Sequence, residues 1–195
     1  GYGITITEKR VKNAKYIGIS GLGGIGISAL IGCKNNSESK VVGIDINEFR
    51  LKEALKLGSN FIANPRKVNL SDYIHAITDG KMLDILIECS GSIVGLNNSL
   101  RLINNSGLVK FATHPKFGDY LNIDPFELIK GKKIEGSWGG GIQPDKDLPV
   151  MINDLKSNDV FIRLINQEKY SLNNINKAIK EMREGKVLRP ILKMN

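Results

Sequence analysis

One stretch near the start of the chain limits the folds open to it. Residues 16–20 form a short apolar run of strand type, which meets Gly21-Leu22-Gly23-Gly24-Ile25-Gly26. A helix-compatible segment follows over residues 27–34. A second apolar strand, Val41-Val42-Gly43-Ile44-Asp45-Ile46, then carries an acid near its end. Asp45 stands nineteen positions after Gly26, the spacing of a dinucleotide-binding strand-helix-strand unit. Gly21 permits the tight turn, Gly23 lets backbone approach a pyrophosphate, and Gly26 lets the helix pack close to the strand. The helix N-terminus would turn free N–H groups and partial positive charge toward the anion. Asp45 would accept hydrogen bonds from an adenosine ribose. Two other readings stay open: a structural glycine turn, and a methyl-donor site of the S-adenosylmethionine type with a similar turn and acid.

The acid also bears on the choice of cofactor. A carboxylate at Asp45 binds two ribose hydroxyls well but faces a 2′-phosphate with like charge, which favours NAD over NADP. Arg50 lies five residues on, in the first turns of the next helix. It could stack on adenine, bond the ribose or tolerate a 2′-phosphate, so NADP stays open; a solvated helix charge is the plain alternative.

Strand and helix patterns alternate through the rest of the chain. Residues 48–57 read as a helix ended by Gly58, 61–63 as a third strand, and 71–78 as a helix with Ser71 as its N-cap. Residues 83–89 read as a fourth strand, followed by Ser90-Gly91-Ser92 and a helix to about residue 103. Asn105-Ser106-Gly107 reads as a turn into a fifth strand at 108–113. A short helix at 125–130 and a sixth strand at 133–137 follow; 145–156 and 172–184 read as helices, and 189–193 as a strand. The order predicts an α/β fold, a doubly wound parallel sheet of Rossmann type. The expected division is a dinucleotide-binding domain over 1–140 and C-terminal helices and a strand over 141–195. Ligands in such sheets sit at the carboxyl ends of the strands. Those ends carry the glycine turn, Asp45, Ser90, Gly91, Ser92, Ala112 and Thr113.

With 195 residues, 41% of them hydrophobic, the chain can bury a sizeable core. No window approaches a transmembrane run and no signal peptide is visible, so no membrane partner is expected. The formal charge of +8 is spread along the chain without aromatic interleaving, which argues against nucleic acid. Cys33 and Cys89 lie in apolar segments and read as buried free thiols of a reducing, cytoplasmic compartment. No catalytic set of carboxylates, no Ser-His-acid group and no metal-ligand spacing occurs. His75 reads as a plain helix histidine, and Trp138 as packing. His114 ends the fifth strand, near the nicotinamide side of such a crevice. The chain begins with Gly, not Met, which points to a piece of a longer protein.

Several segments together resemble the zinc-dependent medium-chain alcohol dehydrogenases, over nearly the whole chain. Gly1-Tyr2-Gly3 resembles the family's entry into its coenzyme domain, and seventeen residues separate Gly3 from Gly21, as in the family. The glycine turn with Ile27-Ser28 and Gly32-Cys33-Lys34, then Gly43-Ile44-Asp45-Ile46-Asn47, resembles the first turn, helix and second strand. Glu88-Cys89-Ser90-Gly91-Ser92, Gly136-Ser137-Trp138-Gly139-Gly140, Ile175-Asn176-Lys177-Ala178 and Arg189-Pro190-Ile191 are similar to later segments.

The resemblance implies roles residue by residue. Gly21, Gly23, Gly24, Ile25 and Gly26 would hold the pyrophosphate of NAD; Asp45 would bind the ribose, helped by Arg50. Ser90, Gly91 and Ser92 would line the cofactor, although Ser92 departs from the basic residue often found there. Phe111, Ala112 and Thr113 would meet the nicotinamide carboxamide, and Arg189 would pair with the pyrophosphate. The family's catalytic zinc sits in an N-terminal domain that this chain does not contain, as do most contacts to the alcohol or aldehyde substrate. The expectation is therefore a coenzyme-binding part of an alcohol dehydrogenase, unable to catalyse alone. A stand-alone NAD-binding module and the coenzyme domain of a zinc-free reductase are the alternatives. The family also implies a homodimer, built by pairing edge strands near residues 136–141.

Overall fold

The computed structural model describes residues 1–156 and 169–194. The chain divides into two compact units, Gly1–Ile142 and Gln143–Asn195.

In the first unit, six parallel strands lie in the order β3-β2-β1-β4-β5-β6, the α/β Rossmann arrangement. They are β1 (Tyr16–Ser20), β2 (Lys40–Ile44), β3 (Phe61–Ala63), β4 (Leu83–Glu88), β5 (Ile103–Phe111) and β6 (Lys133–Gly136). β1 pairs with both β2 and β4. The central strands are apolar at nearly every position because both faces are covered: Ile17, Ile19, Val41, Val42 and Ile85–Ile87 are all fully buried. Against one face pack α4 (Leu70–Ile77) and α5 (Ile93–Asn98), whose Ile74 and Leu96 join Tyr16, Val42, Ile44, Leu86 and Val109 in one cluster. α2 (Gly24–Asn36) packs against β1, β2 and β4, and α1 (Tyr2–Thr7) lies along α2.

Three local expectations change. The cap of α4 is Asn69, whose Oδ1 accepts from the N–H groups of Ser71 and Asp72; Ser71 is in the first turn. The helix after Ser92 ends at Asn98 and gives way to a 3₁₀ turn, Ser99–Arg101. The fifth strand begins at Ile103, five residues early. Leu83 pairs with Ile103 but Ile85 pairs with Leu108, so the Asn105-Ser106-Gly107 turn is a bulge inside the strand. Asn104 Oδ1 accepts the Ser106 N–H at 3.0 Å. This side-chain bond folds out the extra residues, while buried Leu102 and Ile103 hold the pairing.

In the second unit, a helix spans Pro144–Lys156. Lys169–Ser171, not expected as a strand, pairs in parallel with Ile191–Lys193. The expected helix over 172–184 is a 3₁₀ turn, Leu172–Asn174, leading into a helix at Ile175–Arg183. Tyr170, Ala178 and Val187 form this unit's small core. Residues 157–168 lie outside the described residues.

Candidate functional site

β1 ends at Ser20, and the chain leaves it through Gly21 at φ +84°. A Cβ there would lie 2.4 Å from Ser90 Cα, so both the backbone angle and the neighbouring β4 turn demand glycine. Gly23 caps α2 with φ −78° and ψ −162°, and a Cβ built on it meets no atom within 4 Å. Gly26 is packed by the turn more tightly than by the strand. Its Cβ would stand 1.9 Å from the Gly21 carbonyl oxygen and 3.3 Å from Ile19 Cγ2. The Ile27 N–H bonds the Gly23 carbonyl, so the N–H groups of Gly24, Ile25 and Gly26 precede the first intrahelical bond. Ile25 is exposed.

Asp45 follows β2 and is buried, 7% exposed. Its Oδ2 accepts the Leu22 N–H at 2.7 Å and its Oδ1 the Asn47 N–H at 2.8 Å. Asn47 caps α3 (Glu48–Lys56), accepting from the N–H groups of Phe49 and Arg50. That cap fixes Arg50 in the first turn, with Nη1 3.7 Å from Asp45 Oδ2. Arg50 Nε is buried without a hydrogen-bond partner.

Across the turn, Glu88 Oε1 accepts the Ser90 N–H at 2.7 Å. Ser90 Oγ accepts from Ser92 N–H, and Ser92 Oγ from Gly95 N–H, capping α5. The Gly91 N–H reaches Thr113 Oγ1 at 2.9 Å. Ala112 N–H bonds the Glu88 carbonyl and Ser137 N–H the Phe111 carbonyl. The strand ends of β1, β2, β4, β5 and β6 therefore form one connected rim. It brings together every site residue expected from the sequence within the first unit; Arg189 is exposed and belongs to the second unit.

Two rim groups escaped the sequence reading as site residues. Glu88 is 2% exposed, and burial pushes its carboxyl above the usual carboxylate range; its Oε2 has no hydrogen-bond partner. Ser137 Oγ is likewise buried and unpartnered. An acid closing an apolar strand, as at Glu88, was the available signal. Cys89 and Cys33 are buried thiols pushed up to about 12 by burial. His114 stands edge-on to Trp138, with ring centroids 5.6 Å apart. Trp138 is 84% exposed, so it is not the packing residue expected. Among the described residues, no group of three or more His, Cys, Asp or Glu could hold a metal ion. No helix of those residues is long and apolar enough to cross a membrane.

A family model described as zinc-binding dehydrogenase matches residues 24–157. The chain is 31% identical over 195 residues to alcohol dehydrogenase class-2 isozyme 2 of Oryctolagus cuniculus, covering 98% of this chain and 51% of that protein. It is 28% identical to the S-(hydroxymethyl)glutathione dehydrogenase of Komagataella pastoris, covering 100% of this chain and 52% of that one. The crystal structure of benzyl alcohol dehydrogenase from Acinetobacter calcoaceticus superposes with a TM-score of 0.90 at 27% identity, over 100% of this chain and 54% of that one. The chain thus spans about half the length of the curated relatives it matches. It belongs to the zinc-binding dehydrogenase family of medium-chain alcohol dehydrogenases and comprises the coenzyme-binding domain.

Proposed function

We propose that the Gly1–Ile142 unit binds NAD(H) for an alcohol dehydrogenase, in which hydride passes reversibly between an alcohol carbon and C4 of the nicotinamide. The observation that carries the reading is the joint geometry of Gly23 and Asp45. Gly23 leaves open space where a Cβ would stand, at the head of a helix whose first N–H groups can face a pyrophosphate. Asp45 presents a carboxylate with about four acceptor sites, and backbone N–H groups take two of them. Two remain for a vicinal diol.

Gly21, Gly23, Gly24, Ile25 and Gly26 would hold the pyrophosphate, with Arg189 as a further partner. Asp45 and Arg50 would hold the adenosine ribose. Ser90, Gly91 and Ser92 would flank the cofactor, and Phe111, Ala112 and Thr113 would meet the carboxamide. When bound, the nicotinamide supplies the hydride acceptor. The chain's own share is binding, orientation and exclusion of water. The substrate, an alcohol or aldehyde, and the zinc that polarises it would be held mainly by the remainder of the enzyme. A homodimer through the exposed β6 edge fits an open sheet, because two copies of one edge pair antiparallel across a two-fold axis. A reducing, cytoplasmic setting agrees with the free buried thiols.

Calorimetric titration tests the cofactor. NAD binds more tightly than NADP, and Asp45→Ala costs NAD about 1.5–3 kcal/mol, the scale of hydrogen bonds to a charged group. Equal affinity for both cofactors would sink the reading.

A further inference from the structure

We propose that Asp45 is also a positioning residue for the glycine turn, so that the proposed ribose contact and pyrophosphate cradle form one hydrogen-bonded unit. The proposal rests on the dinucleotide reading above and goes beyond it, because that reading asks of Asp45 only that it bond a ribose.

The anchoring is built into the turn itself. Gly21 carries the chain off β1, and its N–H bonds the Ile44 carbonyl at 2.8 Å. The next N–H, that of Leu22, bonds Asp45 Oδ2 across 23 positions of sequence, at 2.7 Å and buried. Leu22 itself is fully buried, so its N–H has no water to fall back on. The other carboxylate oxygen is fixed by Asn47 N–H, which sets the plane of the group. Asp45 N–H in turn bonds the Ala63 carbonyl on β3. The turn is thereby anchored to the β2 end at the residue directly before Gly23. On its other side it abuts Ser90, where only the absence of a Cβ on Gly21 allows the approach. Removing the carboxylate leaves a buried N–H unpaired and frees the segment that would face the pyrophosphate.

A residue that served only the ribose would matter only to ligands with ribose hydroxyls. The experiment is isothermal titration of the full chain with ADP and with 2′,3′-dideoxy-ADP, wild type against Asp45→Ala. The expected result is that the variant loses affinity for both, by about tenfold for the dideoxy ligand, because the freed turn must be ordered again when the pyrophosphate binds. Unchanged affinity for dideoxy-ADP overturns the proposal. Amide hydrogen exchange on the unliganded chain gives a readout independent of any ligand. In Asp45→Ala the Leu22 amide exchanges faster, while the β1 amides of Ile17 and Ile19 keep their protection. In Asp45→Asn, which keeps the volume but replaces one acceptor with a donor, either Leu22 or Asn47 exchanges faster. Wild-type protection at both amides in the Asn variant overturns the proposal even if the Ala variant fails to fold. A wild-type chain that binds neither nucleotide sinks the dinucleotide reading, and the exchange data then judge the anchoring role alone.

Discussion

The same substitution, glycine to alanine, separates stability from binding at two positions three residues apart. At Gly26 the new Cβ would meet the Gly21 carbonyl oxygen at 1.9 Å and its carbon at 3.0 Å. Both atoms are backbone, so the turn or the helix must move. Overpacking of this severity falls at the upper end of its range, about 3 kcal/mol. Alanine returns about 1 kcal/mol of helix propensity inside α2, leaving a net loss of about 2 kcal/mol. At Gly23 the Cβ meets nothing within 4 Å, and φ −78° suits any residue. Restricting the unfolded chain returns about 0.4–1 kcal/mol, and losing a glycine at the helix cap offsets it by a similar amount. Stability should therefore change by no more than about 0.5 kcal/mol. Dinucleotide affinity should nevertheless fall at Gly23→Ala, because the methyl fills the space proposed for the pyrophosphate. Urea titration followed by far-UV circular dichroism reads the first quantity and calorimetry the second. Gly23→Ala that retains full NAD affinity, or Gly26→Ala as stable as wild type, would refute the reasoning.

Glu88→Gln should stabilise the first unit at neutral pH. Burial raises the folded carboxyl above 4.5, so the wild type loses stability as pH rises from that value toward the folded one; a gain that persists undiminished at pH 3 would contradict this. The isolated chain should hold no stoichiometric zinc, since its two cysteines are buried thiols pushed up to about 12 and its histidines number two; elemental analysis finding one zinc per chain would overturn that expectation. Light scattering should give a defined dimer if the β6 edges pair, whereas a clean monomer at tens of micromolar would reject the pairing.

The glycine turn, the strands and the acid at Asp45 were legible because each leaves a local mark: an apolar run, a residue without a side chain, a fixed spacing. The bulge in β5 was not, since Asn105-Ser106-Gly107 has the composition of a turn between elements, and only its β4 neighbour tells otherwise. The Asn69 cap was missed for a similar reason: Ser71 and Asn69 are both competent caps, and the choice depends on where Leu70 buries. The link from Asp45 to Leu22 is a backbone donor meeting a side chain 23 positions away. No pattern of residue types announces such a bond. Arg189 was assigned by resemblance alone, and it lies in a unit separate from the rim.

The strand order has a consequence for synthesis on the ribosome. Of this sheet's strands, the first to be made occupies its middle, with β2 on one side and β4 on the other. Emergence of β2 satisfies one row of its peptide groups. The other row waits for Leu83–Glu88, which at about 5–20 residues per second follows several seconds later. During that interval the nascent chain displays a largely apolar strand with an open edge, the kind of template on which a second nascent chain can pair. Codons or chaperones that delay or shield the stretch between Ile44 and Leu83 therefore act on yield without altering any contact of the finished protein.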